Sequence, residues 1–473
     1  MAVEYDLVII GGGSAGLVVA SIAAQLKAKV ALVERDRLGG DCLWFGCVPS
    51  KSLIHASRLA YEMRHADRFG IFGGEIEVDF AKAIAHVQQV IATIQPHDSP
   101  ERFQGLGVEV ISGAGTFISP HQFEVNGRIL KARAFAIATG SRPYVPPIPG
   151  LEQVGFITNE QVFSLTVCPA SIVVIGAGPI GCELGQALSR LGAQVTILAS
   201  GDRILPKEDA DVAAVVMAQL EEEGIRILTQ ARAERVELQG NAKIVRAGGK
   251  DITCEQILLA AGRIANTDRL NLEKAGVKFN HQGIEVNTKL QTTNPRIYAC
   301  GDAIGRYQFT HVAGYEAVTV AKNALFFPLS SINYRVIPWA TFTDPEVARV
   351  GLSEVEARQN YQDIFVLKQD YADVDRARAT GATQGFAKLI CRGNGEILGA
   401  HLVGASAGEL IHEIVLAMSH RLKVSALTGI HIYPTLSELN SKAALLLSKQ
   451  KFADNQTLKQ VLENFFRLRR KLT

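Results

Sequence analysis

The feature that most constrains this chain is a strand–glycine–helix–strand unit that occurs twice. In the first copy, residues 6–10 (DLVII) form a short, unbroken apolar run, the pattern of a parallel strand buried on both faces. Gly11, Gly13 and Gly16 follow as G-x-G-x-x-G, then a helix-like LVVASIAAQL, and KVALVE closes the unit at Glu34. In the second copy, residues 171–175 (SIVVI) precede Gly176, Gly178 and Gly181, a helix-like CELGQALSRLG follows, and QVTILA ends at Ala199. From first glycine to the end of the second strand is 23 residues in both copies (11 to 34, and 176 to 199). One glycine pattern alone is compatible with a plain turn. Two copies with equal spacing in the same context point to two dinucleotide sites, because the glycines let backbone approach a pyrophosphate and the helix start offers unpaired N–H groups and positive potential.

The copies differ at the strand end. Glu34 supplies a carboxylate that accepts hydrogen bonds from a ribose diol and repels a 2′-phosphate, so the first site suits FAD or NAD. Ala199 removes that repulsion in the second copy, and Ser200, Arg203 and Lys207 follow it. This predicts NADPH in preference to NADH, with Ser200 and Arg203 near the 2′-phosphate; the alternative leaves Arg203 and Lys207 as solvated loop charges.

At 473 residues the chain is long enough for about three domains. Apolar residues make up 47% and charged residues 20%, which excludes a disordered chain. A net charge of +2 leaves no global field for nucleic acid. There is no apolar run of membrane-spanning length and no basic-then-apolar leader, so neither a spanning helix nor a secretion signal is expected. Seven cysteines, an odd number, argue against a disulfide framework and for a reducing, cytoplasmic setting.

Two of those cysteines stand directly behind the first unit, in GGDCLWFGCVPSK at residues 39–51. Cys42 and Cys47 are five positions apart. On an ideal helix such sulfurs do not face one another, so a helix there is distorted or begins between them. A thiol at a helix start has a lowered pKa. Two buried cysteines or half a metal site are the competing readings, but no further ligands lie nearby. Cys168, Cys182, Cys254, Cys300 and Cys391 are dispersed in apolar or glycine-rich sequence and read as core residues.

Two glycine-rich units with this C-x4-C string behind the first resemble the flavoprotein disulfide reductases, which include dihydrolipoamide dehydrogenase, glutathione reductase and mercuric reductase. The resemblance covers nearly all of residues 4–450. It implies an α/β fold of two Rossmann-like dinucleotide-binding domains, for FAD and NAD(P), plus an α+β dimerisation domain. The implied order is an FAD domain over 1–150, an NAD(P) domain over 151–268, a return to the FAD domain over 269–340, an interface domain over 341–450 and a helical extension over 451–473. Ala138-Thr139-Gly140-Ser141-Arg142-Pro143 looks like the family's ATG motif, and Ile297 to Asp302 (IYACGD) like the strand whose aspartate holds the flavin ribityl chain. His311-Val312-Ala313 and Glu316 resemble the segment along the flavin, Lys51 and Glu183 a pair near its N5, and Gly262-Arg263 the corner closing the NAD(P) domain, with Ala265 where the family often has proline. Residues 341–404, with a turn at Gly393-Asn394-Gly395, read as strands and hairpins of the interface domain.

The resemblance implies a homodimeric oxidoreductase in which electrons pass from NAD(P)H through FAD to a Cys42–Cys47 disulfide. Cys47 lies against the flavin, Cys42 meets a small-molecule or metal-ion substrate, and the 431–438 segment serves the partner's site. That segment, HIYPTLSE, departs from the reductase pattern. Tyr433 stands where a histidine base is usual, and Glu438 keeps the orienting position. A phenol with an ordinary pKa near ~10 is a poor base at neutral pH. His431 is a possible substitute. Tyrosine before Pro-Thr looks most like the mercuric reductase branch, although residues 1–4 and the residues after Cys391 carry none of that branch's additional cysteines. The alternatives are a dihydrolipoamide dehydrogenase-like enzyme and a flavin-bound redox sensor with little turnover. In the last 23 residues, Leu458, Val461, Leu462, Phe465, Phe466, Leu468 and Leu472 recur at helical spacing, with Arg467, Arg469, Arg470 and Lys471 at the end. A packed terminal helix with a solvated basic end is expected, contact with a membrane surface or acidic partner being the alternative.

Overall fold

The computed structural model describes residues 3–472, the side chain of Leu472 excepted. The chain forms two compact units, Met1–Asp202 with Glu223–Tyr334, and Arg203–Glu222 with Arg335–Thr473.

In the first unit the opening glycine copy builds the middle of a parallel sheet. Its strands run in the order Val108–Ser112, Val30–Glu34, Tyr5–Ile10, Arg128–Ile137 and Ile297–Ala299. Arg128–Ile137 is long enough to extend past this layer and pair antiparallel with Gln122–Val125, which pairs with Gly115–Ser119. The strand Ile297–Ala299 therefore returns to the same sheet from far along the chain. The second glycine copy builds a separate parallel sheet, Arg226–Leu228, Gln194–Leu198, Ser171–Ile175 and Gln256–Leu259. Both central strands, Tyr5–Ile10 and Ser171–Ile175, are buried almost throughout, as the unbroken apolar runs predict.

The glycines are used for close packing. A Cβ on Gly16 would lie 1.8 Å from the Gly11 carbonyl oxygen, and one on Gly181 would lie 1.9 Å from that of Gly176. The third glycine of each copy thus lets the helix press on its own strand end. Gly178 is different, since a Cβ there meets nothing within 4 Å and φ is −79°. The position a Cβ would take at Gly178, directly before the helix Pro179–Arg190, is open.

The second unit is a five-stranded antiparallel sheet in the order Pro338–Thr341, Glu346–Gly351, Ile397–Gly404, Phe386–Arg392, Ile364–Asp370, with the helices Ala407–Ser419 and Glu438–Asp454 on it. The segment Arg203–Glu222, which lies within the 151–268 stretch of the sequence reading, belongs to this unit. The buried Lys388 ammonium explains why: it is 2.7 Å from Asp209 and 2.7 Å from Asp211, and the Trp339 indole N–H donates to Glu208 at 2.7 Å. Charges removed from water need partners of this kind.

The chain ends in the helix Gln456–Leu472. The expectation that it packs is not met, for its described apolar side chains are exposed or only partly covered. Asn455 starts it, accepting from the Leu458 N–H at 2.9 Å, and ends the helix Glu438–Asp454 before it.

Overpacking a tight helix–strand contact costs about 1–3 kcal/mol. Gly181→Ala is therefore expected to lose about that much stability in chemical unfolding, whereas Gly178→Ala stays within about 0.5 kcal/mol of the parent. Equal losses would contradict the packing described.

Candidate active site

Cys42 lies in the short helix Gly40–Trp44, and Cys47 is the first residue of the helix Cys47–Arg64. The chain breaks at Phe45 and Gly46, so the two sulfurs escape the poor geometry of one continuous helix. Both are free thiols, Cys47 exposed and Cys42 half-buried. The Cys42 thiol donates to Cys47, which carries the negative charge of the pair. That hydrogen bond is the main cause lowering Cys47 to about 6; the Thr310 hydroxyl, 3.4 Å from Cys47 Sγ, and the Lys51 ammonium act in the same direction, against the partial desolvation of the sulfur by its neighbours and the Glu183 charge. Cys42 moves upward for the same reason, helped by burial.

Lys51 stands one turn beyond Cys47 on the same helix face. Its Nζ is 2.9 Å from Glu183, which is 6% exposed in the helix Pro179–Arg190. The structure thus brings Cys42, Cys47, Lys51 and Glu183 together, joined by Thr310, which sequence reasoning missed. Its one available signal was its place immediately before His311-Val312-Ala313.

Around this centre the first glycine loop is tied to Glu34, whose carboxylate accepts from the Gly12 N–H at 2.6 Å and the Asp36 N–H at 2.8 Å. Gly40 has φ +57°, and a Cβ there would strike the Gly13 Cα at 2.7 Å, so the Cys42 turn rests directly on the glycine loop. Thr139 and Gly140 are pinned to Asn266: the Thr139 hydroxyl donates to the Asn266 carbonyl at 2.8 Å, and the Asn266 N–H donates to the Gly140 carbonyl at 2.9 Å.

Asp302 accepts from the Ser141 hydroxyl at 2.5 Å and has Arg263 at 3.9 Å; burial pushes its carboxyl up. Arg263 also reaches Asp41 at 3.2 Å, beside Cys42, a link no sequence motif announced. Ala313 lies in the helix Thr310–Leu325 against Gly301. Glu316 in that helix is fully buried, accepts from the Gly301 N–H at 2.6 Å and the Tyr334 hydroxyl at 2.7 Å, and is pushed up by burial to about 7. These contacts leave a glycine-lined loop, a carboxylate at its strand end and Asp302 facing the same region, which fits a flavin dinucleotide. The open space at Gly178 fits a second dinucleotide, with Gly262 at φ +121° nearby in sequence to the strand Arg263–Ala265. Ser200 is exposed; Arg203 is partly buried.

In the second unit Tyr433 is 67% exposed and its hydroxyl donates to Asp375 at 3.1 Å. That hydrogen bond and charge raise the phenol pKa. Glu438 opens the helix Glu438–Asp454, and its Oε2 is buried with no hydrogen-bond partner. The nearby imidazole is His431, whose Nε2 lies 3.0 Å from Glu413, itself held by the Asn440 amide at 2.9 Å. Sequence reading had no means to find Glu413. Among the described residues, no group of three His, Cys, Asp or Glu side chains is arranged to hold a metal ion, and no helix is long and apolar enough to cross a membrane.

Residues 5–317 match the family described as pyridine nucleotide-disulphide oxidoreductase, and residues 337–444 match its dimerisation domain. A mercuric reductase from Staphylococcus aureus is 34% identical over 453 residues, covering 94% of this chain and 83% of that one. A dihydrolipoyl dehydrogenase from Bacillus subtilis (strain 168) is 34% identical over 456 residues, covering 93% and 98%. The Cu(II) complex of the HOCl-induced flavoprotein disulfide reductase RclA from Escherichia coli superposes with a TM-score of 0.85 at 29% identity, covering 94% of this chain and 100% of that chain.

In the reduced protein, alkylation of Cys47 by iodoacetamide is expected to rise with pH through about 6 and level off above it. Lys51→Met removes a positive charge that favours the thiolate, so the midpoint moves upward. A midpoint near the ordinary thiol value in the parent, or an unmoved one in the variant, contradicts this account.

Proposed function

The chain belongs to the pyridine nucleotide-disulphide oxidoreductase family, and from that premise we propose that Cys42 and Cys47 are its redox pair and that a soft metal ion ranks first among its electron acceptors. It is a flavoprotein disulfide oxidoreductase of the mercuric reductase and dihydrolipoamide dehydrogenase type, using FAD and a pyridine nucleotide. When bound, the flavin supplies the two-electron centre between nicotinamide and disulfide.

The chain's own residues take defined parts. Gly11, Gly13, Gly16 and Glu34 bind the flavin's dinucleotide portion, while Thr139, Gly140, Asp302 and Ala313 border its remainder. Gly176, Gly178, Gly181 and Gly262 border the pyridine nucleotide. Lys51 and Glu183 set the charge beside Cys47, the sulfur nearest the flavin. Cys42, protonated in the reduced pair, meets the acceptor. The dimerisation domain over 337–444 brings the 431–438 segment to the partner's site in a homodimer, in the cytoplasm. Domain limits at 150, 268, 340 and 450 follow the family's order.

The observation that carries the acceptor ranking is Tyr433 bound to Asp375, with its phenol pKa raised. Oxidising a dithiol needs a base, which this phenol is not. Reducing a soft metal ion needs sulfur ligands and electrons, and two thiols provide both. A second reading, dihydrolipoamide oxidation, is favoured by one observation, the His431–Glu413 pair.

Steady-state NADPH oxidation with mercuric and cupric ions, small disulfides and, in reverse, dihydrolipoamide separates the readings. Weak dihydrolipoamide turnover is expected in the parent. Tyr433→His should raise it by about an order of magnitude or more, because the partnerless Glu438 oxygen is available to orient the new ring. Adding Glu438→Gln should cancel the gain. Robust dihydrolipoamide turnover by the parent, lost in His431→Gln, would establish the second reading instead.

For the nucleotide, Ala199 in place of a carboxylate predicts preference for NADPH. One charge-assisted contact is worth about 10- to 150-fold in kcat/KM, so Arg203→Ala should erode the preference by that order. Equal kcat/KM for the two nucleotides in the parent would refute the assignment.

A further inference from the structure

The helix Gln456–Leu472 lies beyond the stretch that matches the family's dimerisation domain, which ends at residue 444. It is about 25 Å long. Leu458, Val461, Leu462, Phe465, Phe466 and Leu468 recur at i, i+3, i+4, i+7, i+8 and i+10 and share one side. Val461 is 57% exposed, Phe465 52% and Leu468 60%. Phe465 and Phe466 meet edge to face at 5.3 Å between ring centres, so their rings form one continuous apolar surface.

The opposite side carries Arg467, Arg470 and Lys471, with Lys459 at its flank, while Arg469 falls within the apolar stripe. Within the helix Lys459, Arg467, Arg469, Arg470 and Lys471 stand against Glu463, a net of +4 (5 basic minus 1 acidic), while the whole chain has +2, which leaves −2 for everything else. This one element thus carries more net positive charge than the whole chain. That charge disfavours the same helix of a second copy as the cover for the apolar face, because two such helices would set positive against positive. It favours a surface that offers hydrocarbon and negative charge together. A helix with a strongly apolar face, a basic polar face and low net hydrophobicity lies in the plane of a bilayer surface.

We propose that the 456–472 helix docks the enzyme on anionic lipid bilayers, with Phe465, Phe466 and their apolar neighbours in the headgroup–acyl boundary and Arg467 and Arg470 on lipid phosphates. Docking leaves the catalytic units in water and places the enzyme beside the membrane. An acidic protein partner is the competing cover.

The test is co-sedimentation of the full-length, FAD-loaded enzyme with vesicles of phosphatidylcholine alone or with about a third phosphatidylglycerol, at roughly 0.05 M and 0.5 M salt. Binding is expected to the anionic vesicles at low salt and to fall at high salt. Phe465→Asp with Phe466→Asp, and separately Arg467→Glu with Arg470→Glu, should each weaken it by at least about tenfold. NADPH oxidation and dimer mass should be those of the parent, since these residues lie beyond the stretch that matches the dimerisation domain and have no part in the proposed redox pair. The proposal is overturned by absent vesicle binding, by equal binding to phosphatidylcholine alone, or by unchanged binding of the Phe465, Phe466 variant. It is equally overturned if that variant runs as a smaller assembly, because a second copy would then be the cover.

Discussion

The contact on which the redox centre depends is the ion pair between Lys51 and Glu183, 2.9 Å apart and 132 residues apart in sequence. It joins the helix that begins at Cys47 to the helix that begins beside Gly178, so the thiol pair and the second glycine loop are held by one electrostatic clamp. Glu183 is buried, and an unpaired buried carboxylate is costly. Removing one member of a fully buried pair costs about 3–5 kcal/mol, and less here because a third of the Lys51 side chain meets solvent. The pair also sets the field at Cys47. Lys51 favours the thiolate and Glu183 opposes it, so the hydrogen bond from Cys42, not a naked cation, decides which sulfur ionises. The two sulfurs are made unequal by each other, and the ion pair trims that inequality.

The segment around Tyr433 shows how one change of side chain redistributes a hydrogen-bond network. A phenol reaches further than an imidazole, and this one finds Asp375. Glu438 is left with a buried, partnerless oxygen. The nearby imidazole, His431, has its own carboxylate in Glu413 and spends its other nitrogen on the Gly429 carbonyl. Both ring nitrogens are thus engaged within the same chain. The carboxylate without a ring and the ring with a different carboxylate are the two halves of a device taken apart.

What was legible in the sequence was local. The strand–glycine–helix units declare themselves because each glycine is needed by a neighbour within a few residues, as Gly16 is by Gly11 and Gly181 by Gly176. The break between Cys42 and Cys47 was legible as an alternative, from helix geometry alone. Partners far along the chain were not. Thr310 lies 263 residues from Cys47, and Asp375 lies 58 from Tyr433; no spacing rule connects them, since the fold and not the sequence brings them close. The place of Arg203–Glu222 was hidden for the same reason, because it rests on Lys388 nearly two hundred residues away. Amphipathicity failed in another way. The terminal helix has the same apolar stripe whether it packs on its own protein or on something else, so periodicity identified the helix without identifying what covers it.

The proton inventory of the reduced centre ties these observations together. With Cys47 lowered to about 6 and Cys42 raised, the reduced pair at neutral pH holds one proton, on Cys42. Re-forming the disulfide releases that proton and two electrons. A mercuric ion takes the two electrons and needs no proton, so the account closes with one proton set free. A disulfide acceptor takes two electrons and two protons to give two thiols, so it must draw one more from elsewhere or depart with one sulfur as a thiolate. An imidazolium behind the substrate would supply that proton at neutral pH. A phenol whose pKa is raised by Asp375 holds its proton more tightly than free tyrosine does, and is the wrong donor for the task. The same asymmetry that makes Cys47 an effective thiolate therefore leaves disulfide reduction one proton short, and it is this shortfall, more than any feature of the glycine-rich units, on which the proposed ranking of a metal ion above a disulfide rests.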